Sequence, residues 1–106
     1  MNQPLFYLYT AMQTKEPQFK LGVVVVTRAI KNLMNQSQIF SNEIEASFNK
    51  FIQKDWGIAP LNSKGKPYGV KNGDTIFGKY QTTEGNIYIV TEYDRSYTVI
   101  MLPEEY

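Results

Sequence analysis

The densest cluster of reactive side chains falls in one short stretch, Glu92-Tyr93-Asp94-Arg95-Ser96-Tyr97. Glu92 as general base and Arg95 as the charge that stabilises a phosphorane-like transition state would suffice for phosphodiester cleavage. With no histidine in the chain, the acid would be a tyrosine such as Tyr97, or a lysine. Glu92, Arg95 and Tyr97 are therefore the catalytic set of one reading, a metal-independent ribonuclease toxin. The same stretch also reads as a hairpin turn, in which Asp94 accepts backbone hydrogen bonds and Arg95 pairs with a carboxylate. As a surface, Tyr93, Asp94, Arg95 and Ser96 combine rings, charge and exposure, the mixture that contacts a partner.

A second candidate is the segment Ile58 to Asn72, which carries Pro60, Gly65, Pro67 and Gly69 and reads as a long loop. In it Lys64, Lys66 and Lys71 flank Tyr68, and bases interleaved with a ring suit RNA, lysines meeting phosphates and the ring stacking on a base. Solvated surface lysines are the plainer reading. Gly73 and Gly78 have neither the spacing nor the strand-to-helix context of a phosphate-cradling loop. Pro103-Glu104-Glu105-Tyr106 is a short acidic end that reads as frayed, or as a contact for a basic surface.

Composition narrows the classes. The 106 residues make one domain, 1–106, with 11 basic and 10 acidic side chains and a net charge of +1. That balance suits neither a nucleic-acid binder that works by overall charge nor an acidic DNA mimic. The absence of cysteine and histidine leaves no disulfide framework and argues against a zinc enzyme, so no metal and no cofactor is expected. The longest apolar run, Val23 to Val26, is far below the roughly 20 residues of a membrane span, which reads as a soluble, cytoplasmic protein with no membrane partner.

The elements that must position these groups follow from periodicity. Leu5 to Thr10 reads as a first strand at a sheet edge. The run Val23 to Val26 lacks alternation and predicts a central strand covered on both faces. Thr27 caps a short helix with Ala29, Ile30, Leu33 and Met34 on one side. Ser41 is expected to cap a second helix, its first turn bearing Glu43 and Glu45 and its apolar face Ile44, Phe48, Phe51 and Ile52. Asp55-Trp56-Gly57 should stop it, with Gly57 left-handed and Trp56 folded over the helix–sheet junction. Three β-branched and aromatic runs then form an antiparallel meander, broken at Thr82 to Asn86 and at Asp94 to Ser96. The expected fold is α+β in the order ββααβββ, with two helices on one face of a mainly antiparallel sheet. Its core should contain Val24, Val26, Ile44, Phe48, Phe51, Ile52, Trp56, Ile89 and Ile100. On the strand Ile87 to Tyr93 neither parity is plainly polar, so one face should meet the helices and the other a partner.

Lys54-Asp55-Trp56-Gly57, Asn72-Gly73-Asp74, the run Ile87 to Thr98 and the ending Leu102-Pro103-Glu104-Glu105-Tyr106 together resemble a family of small proteins carried by bacterial plasmids and conjugative elements. The resemblance covers roughly residues 21 to 106. Its most specific parts are Asp-Trp-Gly and Thr-Glu-x-Asp-Arg-Ser. Many members carry an Arg-His pair shortly before Asp-Trp-Gly, where this chain has Lys50-Phe51, so no role of that histidine transfers. The chain looks like the branch found in Gram-positive bacteria beside inhibitors of type II CRISPR systems. The resemblance implies an anti-CRISPR protein that binds a type II nuclease or its guide RNA.

Overall fold

The computed structural model describes residues 3–13, 15–59 and 74–106. The fold is α+β: β1 (Phe6–Leu8), β2 (Val23–Thr27), α1 (Arg28–Gln36), α2 (Gln38–Ile52), β3 (Ile76–Thr82), β4 (Gly85–Thr91) and β5 (Tyr97–Met101), followed by one 3-10 turn at Pro103–Glu105. Across the sheet the strands run β1-β2-β5-β4-β3. All neighbours are antiparallel except β2 and β5, whose parallel register places Val23 beside Tyr97 and Val26 beside Ile100. The two helices supply the crossover that such a parallel pair requires.

Both helices cover one face of the sheet. Ile30 of α1 and Phe40, Ile44, Phe48, Phe51 and Ile52 of α2 pack with Val26, Ile76, Tyr80, Ile87, Ile89 and Ile100 into one buried cluster. Val24 is only partly buried against it. Phe19, Phe51 and Trp56 close its lower end, their ring centroids 5.3 to 5.9 Å apart and tilted or edge-on.

The helix boundaries differ from the sequence reading at two residues. Ser37, not Ser41, caps α2: its Oγ accepts the Phe40 N–H at 3.1 Å, and its own N–H donates to Leu33 O at 3.0 Å, so it also ends α1. Phe40 is thereby brought into the core, while Ser41 Oγ donates to Met34 O and Glu43 stands beyond the first turn. At the far end the left-handed residue after the cap is Lys54, φ 65°, not Gly57. Lys54 N–H donates to Phe51 O and Asp55 N–H to Lys50 O, the paired bonds of a Schellman ending. Gly57, φ 68°, serves the sheet instead: Lys79 N–H donates to Trp56 O and Ile58 N–H to Lys79 O, which covers the outer edge of β3. A Cβ on Gly57 would collide with the Lys79 carbonyl.

The valine run also departs from expectation. β2 lies inside the sheet, but only Val24 and Val26 face the helices; Val23 is 54% exposed and Val25 half-buried on the opposite side.

Candidate binding surface

Register fixes which side chains share the face without helices. Phe6 and Leu8 of β1 lie there with Val23 and Val25 of β2, Tyr97, Val99 and Met101 of β5, Tyr88 and Val90 of β4, and Phe77 of β3. A sheet with one solvated face normally carries polar residues there, but on this face they are confined to Lys79, Gln81 and Asn86 at the β3–β4 end and the buried Thr27, and the remaining β1, β2 and β5 positions are apolar. The two halves of the face differ. Over β3 and β4, the rings of Phe77, Tyr88 and Tyr106 meet at centroid distances of 4.6 to 5.8 Å and shelter Val90, Val99 and Met101. Over β1, β2 and the start of β5 the face is bare: Phe6 is 54% exposed, Leu8 79% and Tyr97 42%.

Between the halves runs a groove of about 530 Å³ whose walls include Leu5, Phe6, Tyr97, Val99 and Met101. Its end is closed by Glu105, whose Oε1 accepts the Thr27 hydroxyl at 2.8 Å and the Leu102 N–H at 2.9 Å. The acidic end is thus tied to the fold at Glu105 and Tyr106 and is not frayed. Strand β1 is held from its start, because the Arg28 guanidinium donates to the Gln3 and Pro4 carbonyls. Its register with β2 leaves the N–H and C=O groups of Phe6 and Leu8 directed to the sheet's outer edge.

The Tyr93–Ser96 turn borders this bare half, since Val23 N–H donates to Ser96 O at 3.1 Å. Gly22, φ 66°, permits the approach; a Cβ there would overlap the Ser96 and Arg95 carbonyls. Tyr93 is 57% exposed. Asp94 Oδ1 accepts the Ser96 N–H at 3.0 Å, and its hydrogen bonds with Ser96 hold the carboxyl below its ordinary range. Arg95 takes φ 60°, and its Nη1 donates to the carbonyls of Asp74, Glu92 and Tyr93 at 2.6 to 3.1 Å. The Glu92 carboxylate interacts with the Tyr97 hydroxyl and pushes its pKa upward. Of the three residues of the ribonuclease reading, Glu92 and Tyr97 therefore meet, while Arg95 Nη1 is engaged in holding the turn.

Lys64, Lys66, Tyr68 and Lys71 lie outside the described residues. Among the described residues, no group of three or more Asp or Glu side chains is placed to hold a metal ion, and no helix is long and apolar enough to cross a membrane. The surface residues Phe6, Leu8 and Val23 were not singled out from sequence. The available signal was the lack of alternation in Val23 to Val26, which marks two apolar faces without saying what covers the second. Comparison of the chain with protein-family models, with curated proteins and with solved structures returns no match.

Proposed function

We propose that the protein is a binding protein that inhibits a type II RNA-guided nuclease, occupying the nuclease or its guide RNA before target DNA is engaged. The observation that supports a binding role is the bare apolar half of the sheet, where Phe6, Leu8, Val23 and Tyr97 stand exposed side by side along three adjacent strands. A contiguous apolar patch on a small domain marks a contact surface, and its desolvation supplies affinity without catalysis. The choice of target rests on the resemblance to plasmid-borne proteins found beside CRISPR inhibitors. Charge argues for action before DNA: a chain of net charge +1 cannot present the carboxylate array that competes for a nucleic-acid channel.

The test is order of addition. With nuclease, guide and target mixed in different sequences, inhibition should be strong when the protein meets nuclease before guide and weak afterwards. Leu8→Asp and Phe6→Asp should abolish inhibition and recovery of nuclease in a pull-down while leaving the melting temperature in place. Equal inhibition in both orders would overturn the mechanism. Cleavage of RNA by the purified protein in chelator, lost in Glu92→Gln or Arg95→Ala, would replace it with the ribonuclease reading.

A further inference from the structure

The segment leading into β2, the end of α2 and the β4–β5 turn enclose a cleft of about 270 Å³. Phe19, Trp56 and Ile76 contribute its apolar surface, and Lys20, Lys54 and Arg95 line it with cations. Gln18 completes the wall, fixed by its N–H to Ile52 O at 2.9 Å and by its Nε2 to Gln53 Oε1 at 3.1 Å.

Two of those three cations are the non-glycine residues of positive φ among the described residues, Lys54 at 65° and Arg95 at 60°. Each occupies a position that glycine or asparagine fills with less strain. A cation just past a helix C-terminus is favourable for the dipole, but Lys50 already stands in the last turn of α2, and the dipole has no bearing on Arg95. Arg95 uses its guanidinium to hold the turn's carbonyls, whereas the strain retained at Lys54 points to a use for its charge in the cleft. Among the described residues the ammonium groups of Lys20 and Lys54 have no hydrogen-bond or ion-pair partner, Lys54 bonding only through its backbone N–H, and both side chains are exposed. Lys20 is near enough to Asp94 to favour its charged form, so one carboxylate borders the site.

We infer that this cleft binds one nucleotide step of single-stranded RNA, the phosphate against Lys20 and Lys54 and an unpaired base against Phe19. This deepens the function proposed above by naming the chemistry of one contact, and it rests on that reading for its biological setting. Pockets that enclose a drug-sized ligand start at about 300 Å³, so this volume suits a single unit of a chain that continues on either side. A duplex keeps its base faces stacked and could not use the apolar surface. An acidic peptide would answer the lysines but leave the rings without a partner.

Fluorescence anisotropy with a labelled uridine oligomer of about ten nucleotides, with the isolated protein and no nuclease, tests this directly. Lys20→Gln and Lys54→Gln should each weaken binding about 5-fold to 10-fold, and the double variant should lower the salt slope by about 1.4, two contacts at about 0.7 each. Lys54→Gly separates charge from folding: affinity should fall as in Lys54→Gln while the melting temperature rises. No binding by the wild-type protein at about 100 µM in low salt would overturn the inference, that being the weak limit of non-specific nucleic-acid binding. So would affinity unchanged in both lysine variants, or full displacement of the RNA by polyglutamate at equal charge concentration. Because no nuclease is present, a failure here leaves the inhibition assay standing, and the converse also holds.

Discussion

A buried pair of threonines shows how two hydroxyl protons can tie two strands to the segment that leads into a third. Thr98 Oγ1 donates to Leu21 O at 2.7 Å, and Thr91 and Thr98 Oγ1 are also 2.7 Å apart. A hydroxyl has one proton, so Thr91 must donate to Thr98. Thr98→Val would strand both the Leu21 carbonyl and the Thr91 hydroxyl and should cost about 2–4 kcal/mol, whereas Thr91→Val leaves the Leu21 bond intact and should cost about 1 kcal/mol or less. Urea denaturation of the two variants checks the asymmetry, and equal losses would contradict the assigned donor. Lys54→Gly should add about 1 kcal/mol by relieving the left-handed strain, read as a melting temperature raised by roughly 4–8 °C. Neither residue was legible beforehand. A threonine inside a β-rich run carries no sign of its partner, and a lysine where glycine is preferred is hidden by a nearby Asp-Trp-Gly that offers a more conventional ending.

At the level of elements, periodicity worked where one face is buried. The four-and-three spacing of Ile44, Phe48, Phe51 and Ile52 placed α2 correctly, and all four are buried. Phe48→Ala should cost about 3–5 kcal/mol, and an unchanged melting temperature would remove that ring from the core. The helix start was misread because Ser37 lies in a polar, unpatterned stretch, while Ser41 precedes acidic residues that suit a first turn. Ser37→Ala should cost about 1 kcal/mol through the lost Phe40 N–H bond, and more than Ser41→Ala; thermal unfolding of both variants ranks them. The meander β3-β4-β5 was legible because short turns join neighbouring strands. The β2–β5 pairing was not, since nothing local in either strand encodes a partner about 70 residues away.

For the molecule as a whole, alkaline pH is the sensitive direction. Burial pushes Tyr9 up to about 12 from an ordinary 10.0 and Tyr80 higher still, its hydroxyl donating to Asp55 O at 2.6 Å. Above pH 10 the unfolded chain loses these protons while the folded protein retains them. The folded state then binds more protons, so stability falls as pH rises. The contribution is fully present below pH 10, and the melting temperature should decline between pH 10 and 12. Tyr80→Phe should be less stable at neutral pH yet show a shallower decline. The parallel pairing of β2 with β5 has a further consequence during synthesis. A ribosome adds about 5–20 residues per second, so the valine strand must wait roughly 4–15 s for its inner neighbour. β1 is already made and can cover the outer edge, but throughout that interval the inner edge of a β-prone apolar run is available to other nascent chains. Slower translation of the middle of the chain should therefore lower soluble yield, and an earlier supply of the β5 segment in trans should restore it.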